Sequence, residues 1–151
     1  MTDKTLRMLA ELDPRAQPVF RTFFDLLDQA LGEDQYIFFE GRRTKEIQEA
    51  YYAQGRETLE EVNALRKNAG LYLLRSEKDN YKITWTMESK HRLGLAVDVL
   101  PVNGAGNPTW DYAHYKKIFG IIYACGLDAG LECGADWPQD KWDPPHYEIK
   151  G

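Results

Sequence analysis

Apolar residues recur along the first third of the chain at a spacing that only a helix satisfies. Val19, Phe23, Leu26, Leu27, Ala30 and Leu31 fall three or four apart and stop at Gly32. Asp13-Pro14 reads as an N-cap with proline at the first helical position, which predicts a core-packing helix from there to Leu31. Tyr36 to Glu40 (Y-I-F-F-E) is a short apolar run, read as a buried strand, and Gly41-Arg42-Arg43-Thr44 turns out of it. Thr44 can cap a second helix over Lys45 to Gln54, stopped by Gly55. Leu59, Val62 and Leu65 predict a third helix from Leu59 to Asn68. Leu71 to Asp79 follows neither period, and Asp79-Asn80 reads as a turn. Tyr81 to Thr86 alternates, which predicts a strand leading into His91. Leu95 to Pro101 is a second buried strand, followed by a Gly, Asn and Pro-rich loop from Asn103 to Pro108. Tyr115, Ile118, Ile122 and Tyr123 mark a helix from about Asp111 to Cys125, closed by Gly126. Leu131 to Cys133 and Pro145 to Ile149 are the remaining strand candidates. Helices come first and strands gather late, so the fold class is α+β: one domain with a small, mainly antiparallel sheet packed by helices.

The 151 residues suit a single domain with an adequate core. A formal charge of -5 gives no electrostatic pull toward nucleic acid or an anionic membrane. No apolar run approaches the roughly 18 residues of a membrane span, and no basic-then-apolar leader opens the chain, so membrane insertion is not expected and synthesis in the cytoplasm is. Cys125 and Cys133 lack metal-type spacing and read as packed, reduced thiols.

One stretch departs from ordinary core composition. Ser89 to Val99 reads S-K-H-R-L-G-L-A-V-D-V and places Asp98 inside the apolar strand. A carboxylate there is costly unless it is paired or bound to a cation. Gly94 lets the chain turn so that His91 and Asp98 can face one point. His146, in W-D-P-P-H-Y-E, can supply a third ligand, and two imidazoles with one carboxylate leave a fourth position open, as a catalytic zinc requires. Taken alone, a buried His–Asp hydrogen-bond network without metal is an equal reading. Asp143, in a turn held by Pro144 and Pro145, is preferred as the base; Glu148, two residues past His146 on one strand face, suits a supporting role. Arg42 and Arg43 both qualify as the cation for an oxyanion, and position alone does not choose between them.

At these residues the chain resembles the zinc peptidases that cleave bacterial cell-wall peptides, the D-Ala-D-Ala carboxypeptidase and L-alanyl-D-glutamate endopeptidase family. Ser89-x-His91-x-x-Gly94-x-Ala96-x-Asp98 is similar to the family's first metal motif. Asp143-x-x-His146, an aromatic and Glu148 is similar to the second. Gly41-x-Arg43-Thr44, with the helix reaching Tyr52-Ala53-Gln54-Gly55-Arg56, is similar to the segment that supplies the catalytic arginine, and Leu131 to Trp137 to the segment upstream of the last histidine. The motif-bearing core is about 36–150. The resemblance implies one zinc per chain on His91, Asp98 and His146, Asp143 as base, Arg43 rather than Arg42 at the oxyanion, and supporting or substrate roles for Ser89, Gln54, Trp142 and Glu148. An aspartate at the base position and the Y-Y-A-Q-G-R segment resemble the endopeptidases of phage endolysins most. That implies cleavage of the L-Ala-D-Glu bond of peptidoglycan stem peptides by a monomer with no separate wall-binding domain, released to the periplasm through a holin-type pore. The other readings are a D-Ala-D-Ala carboxypeptidase or dipeptidase, and a non-catalytic zinc module that binds the wall. The Thr58 to Met87 segment is longer than the resemblance leads one to expect.

Beside these, His114 reads as an exposed or packing residue, the tryptophans as core or rim with Trp142 the best groove candidate, and Glu57, Glu60 and Glu61 as a solvated helix face.

Overall fold

The computed structural model describes residues 1–87 and 89–151, which form two compact units: Met1–Arg42 with Leu93–Gly151, and Arg43–Arg92. The first unit holds three helices, α1 (Asp3–Ala10), α2 (Gln17–Leu31) and α5 (Lys116–Asp128), and the whole sheet: β1 (Tyr36–Glu40), β2 (Ala96–Pro101), β3 (Glu132–Cys133) and β4 (His146–Glu148). The second holds α3 (Lys45–Ala53), α4 (Leu59–Asn68) and a 3-10 turn, Glu77–Asp79.

The strands run β1-β2-β4-β3, every neighbouring pair antiparallel. The expected α+β class with an antiparallel sheet is therefore what the chain forms. Side chains on a strand alternate between faces, and here that alternation separates core from chemistry. Val97 and Val99 of β2 and Tyr147 of β4 join Phe20, Phe23 and Leu27 of α2 in one buried cluster. Phe23 lies 4.8 Å from the Tyr147 ring, and Phe24 stacks on Phe38 at 4.8 Å. Ala96 and Asp98 on β2, opposite Glu148 and His146 on β4, take the other face.

Several expectations require correction. The N-terminal helix α1, capped by the Thr2 side chain, was not anticipated. α2 begins at Gln17 with Pro18 in its first turn, not at Asp13. Asp13 instead closes a turn: its carboxylate accepts from the Arg15 backbone N–H and guanidinium, which holds it down at about 2, and its carbonyl accepts from Ala16 and Gln17. Residues 81–86 form no strand, because Thr84 is tied by side chains of α3 and its neighbours instead of by a ladder. The last helix starts five residues later than expected, at Lys116, and runs through Gly126 to Asp128, with the turn made by Gly130 at φ +87°. Gly126 is a packing glycine: a Cβ there would stand 2.5 Å from the Tyr147 ring. By contrast, β1 and α4 have the expected limits, and Thr44 and Thr58 cap α3 and α4 through Ile47 and Glu61 N–H groups.

The second unit buries little apolar surface. Besides Ala50, Ala53 and Val62, its buried residues include Gln48, Gln54, Arg66 and Thr84. Buried polar groups need partners, and these have them: Gln54 accepts from the Arg66 guanidinium at 2.9 Å and donates to the Asp79 carbonyl at 3.2 Å.

Candidate active site

Asp98 and His146 are directly opposite across β2 and β4, so the site begins as a cross-strand pair. His146 Nδ1 stands 3.5 Å from Asp98 Oδ1. That is long for a charge-assisted hydrogen bond, which closes to about 2.7–2.9 Å. It is close to the separation, about 3.3 Å, of two atoms that each sit about 2.0–2.1 Å from one tetrahedral zinc. The other ring nitrogen, Nε2, lies 2.9 Å from Glu148 Oε1; because an ionised carboxylate only accepts, Nε2 carries the hydrogen and Nδ1 is left facing Asp98. A carboxylate behind a ligating imidazole is the usual support of such a ring. Asp143 brings a third carboxylate, with Oδ2 at 4.0 Å from Nδ1.

Burial opposes a charged His146 imidazole. The carboxylates of Asp98 and Glu148, with Asp143 behind them, outweigh it and raise the ring to about 9. Three acidic side chains around one imidazole form a cradle with surplus negative charge, which a divalent cation offsets. Both the spacing and the charge of this donor set fit zinc.

The base candidate is held by backbone. Asp143 N–H donates to the Gly134 carbonyl at 3.0 Å, and the Asp143 carbonyl accepts from His146 N–H at 3.1 Å. A Cβ on Gly134 would stand 2.2 Å from the Asp143 carbonyl oxygen, so only glycine lets the two strands of this loop meet. Cys133, just before it, donates its thiol hydrogen to the Pro144 carbonyl at 3.6 Å. Gly134 is thus a positioning residue that the sequence reading did not assign; a glycine at the end of a short strand was the available signal. The Asp143 side chain is 48% exposed, which leaves it open to exchange protons with solvent. Trp137 covers His146, with ring centroids 4.8 Å apart, and Trp142 is anchored through its indole N–H to the Ala135 carbonyl. Its outer edge meets Tyr112.

In the second unit, His91 is 2% exposed and its backbone is fixed on both sides: its N–H donates to Ser89 Oγ at 3.1 Å, and its carbonyl accepts from Arg43 N–H at 2.9 Å. The Arg43 guanidinium lies over the Tyr51 ring and donates to Gln48 Oε1 at 3.1 Å. Gln48 is fully buried and spends its amide hydrogens on the Thr86 carbonyl and Thr84 Oγ1. It therefore aims Arg43, a role that helical periodicity alone does not reveal. Gln54, expected near substrate, uses both ends of its amide on Arg66 and Asp79. His114 is exposed and paired with Asp111, and both cysteines are buried and unlinked.

The fold is similar to that of the L-Ala D-Glu endopeptidase ChiX of Serratia marcescens, at TM-score 0.56 and 19% identity over 99% of this chain and 89% of that one. A vancomycin-resistance D,D-pentapeptidase, VanY, solved with Zn(II), aligns at TM-score 0.47 and 22% identity over 93% and 73%. VanYB in complex with D-alanine-D-alanine aligns at 0.47 and 22% over 93% and 72%. No curated protein sequence matches the chain. Residues 82–149 match the family model described as D-alanyl-D-alanine carboxypeptidase, of the M15 peptidases. Both histidine-bearing motifs fall inside that match, so this part of the chain is similar to the M15 peptidases.

Proposed function

We propose that this chain is a zinc peptidase of peptidoglycan stem peptides that hydrolyses the L-Ala-D-Glu bond, in the manner of a phage lysis enzyme. The observation that carries the reading is the cross-strand pair of Asp98 and His146 with one carboxylate behind the ring and a second, Asp143, beside it. Asp98 and His146 would be two of the metal's ligands, and His91, the histidine of the first motif, would be the third. Zinc bound by them would supply a polarising centre for the scissile carbonyl and a water of lowered pKa.

The chain's own residues do the rest. Asp143 takes the proton of the attacking water and returns it to the leaving amine, which needs a carboxylate both near the ligands and in contact with solvent. Arg43 presents a permanent charge to the oxyanion, and Gln48 and Tyr51 restrict where that charge can go. Glu148 holds the His146 ring by its Nε2–H, and Ser89 fixes the backbone of His91. The aspartate at the base position supports the L-Ala-D-Glu bond over the D-Ala-D-Ala bond.

The test is cleavage of a soluble L-Ala-D-Glu-containing stem peptide, alongside one ending in D-Ala-D-Ala. The expected result is cleavage of the L-Ala-D-Glu bond by the zinc-loaded protein. Asp143→Asn should retain one zinc and lose at least about 100-fold in rate. Release of terminal D-Ala alone would make the chain a carboxypeptidase, and zinc binding without any cleavage would leave a wall-binding module.

A further inference from the structure

The second unit displays apolar side chains that its own architecture prevents from folding inward. Tyr72 is 79% exposed, Tyr81 62% and Trp85 56%, with Leu73 and Ile83 also open to solvent. Single exposed apolar residues are ordinary, but five within fifteen residues of one unit are a concentration of the kind that marks an interaction site.

The backbone beneath them is clamped. Asn63 bonds Leu74 in both directions, accepting from its N–H at 2.8 Å and donating to its carbonyl at 3.1 Å. Arg66 Nε donates to the Tyr72 carbonyl at 2.8 Å and its guanidinium lies 4.9 Å from the Tyr72 ring centre. Asn80 accepts from Gly55 N–H at 2.8 Å, and Arg56 donates to the Thr84 carbonyl at 3.1 Å. Gly55, at φ +80°, is approached so closely that a Cβ would stand 2.3 Å from Lys82 N. Thr84 faces inward to Gln48, whereas Tyr81, Ile83 and Trp85 are exposed. Polar side chains of α3 and α4 hold the segment by its main chain and leave its aromatic groups for something else.

Charge narrows what that something is. Arg75, Lys78 and Lys82 are exposed along the same segment and outnumber Glu77 and Asp79, in a chain whose formal charge is -5. Tyrosine and tryptophan combine an apolar face with a polar edge, which suits sugar rings, whose faces are C–H and whose rims are hydroxyl. Cations between them suit a polymer that carries carboxylates. A membrane surface is a poorer match, since it is met by an amphipathic helix with a strongly basic face. We propose that Tyr72, Tyr81, Ile83 and Trp85 form a binding surface for the anionic glycan–peptide strand of peptidoglycan. It retains the enzyme on the polymer independently of the bond that is cut. The proposal rests on the wall-peptidase reading for its choice of polymer.

The test is co-sedimentation with purified insoluble peptidoglycan in an Asp143→Asn background, comparing Tyr81→Ser/Trp85→Ser with the parent. The expected result is binding weakened by at least about tenfold, the scale of losing an anchoring aromatic, with the melting temperature unchanged because both side chains are exposed. Lys78→Glu/Lys82→Glu should weaken binding further at low salt than at high salt. Unchanged sedimentation overturns the proposal. So does loss of a concentration-dependent dimer in the aromatic variant with peptidoglycan binding intact, since the patch would then be a contact between copies. Cleavage by the unsubstituted protein is measured separately: stripe-dependent binding without any cleavage sinks the peptidase reading and keeps this one, and cleavage with stripe-independent binding does the reverse.

Discussion

Glu148 sits two residues past His146 on β4, and period two brings its carboxylate to Nε2 at 2.9 Å. That single contact decides which nitrogen is offered to a metal, so Glu148→Ala should lower zinc affinity by about 10–100-fold. Competition against a chromophoric chelator measures it, and an unchanged affinity would remove Glu148 from the support of the site. A second residue-scale outcome concerns pH. Burial pushes the Cys133 thiol up to about 11 from an ordinary value of 9.0, and burial likewise raises the Tyr147 phenol beside it. Groups raised in the folded state stabilise it below their unfolded values and cease to as pH rises through the folded ones. Urea midpoints should therefore hold to about pH 9 and fall toward pH 11, less steeply in Cys133→Ala; an equal slope would contradict the assignment. At this scale the sequence was most informative. Asp98 announces itself as a carboxylate in an aliphatic run, and the i, i+2 relation of His146 and Glu148 follows from strand geometry. Gln48 and Gly134 do not announce themselves, because their roles depend on Thr84, Thr86 and Asp143, residues far away in the chain.

Elements fixed by local chemistry match expectation closely, and elements fixed by distant contacts do not. Thr44 and Thr58 cap their helices as their side chains demand. Asp13-Pro14 carries the same cap signature, yet Asp13 N–H is taken by the Gly94 carbonyl at 3.1 Å, and the helix waits for Gln17. Residues 81–86 alternate like a strand but are held by side chains of α3 and its neighbours. Gly126 looks like a stop and is a contact: Gly126→Ala would drive a methyl into the Tyr147 ring and should cost about 1–3 kcal/mol. Denaturant unfolding reads this, and wild-type stability in the variant would show that the ring can yield. The loop bearing Asp143 depends on Gly134 in the same way. Gly134→Ala should cut peptide cleavage by roughly 100-fold, as misplacement of a reacting group by about 1 Å does, while zinc stays bound. Loss of zinc instead would mean that the loop supports the ligands and not the base.

Over the whole molecule, the first unit is assembled from both ends of the chain, Met1–Arg42 and Leu93–Gly151, with the sheet drawing strands from each. No pattern in the sequence states that pairing; it follows from α2 and α5 needing one sheet face to cover, and that need leaves the opposite face for Asp98, His146 and Glu148. The second unit, which buries several polar side chains and exposes several apolar ones, was the least legible part. No helix among the described residues is long and apolar enough to cross a membrane. Under the proposed function, these side chains serve to cut one peptide bond of the wall. Mass spectrometry of purified peptidoglycan digested by the zinc-loaded protein tests it most directly. New N-terminal D-Glu, with L-Ala left on the muramic acid and no such product from Asp143→Asn, is the predicted result. A fully zinc-loaded protein that releases no new amino terminus from the polymer would contradict it.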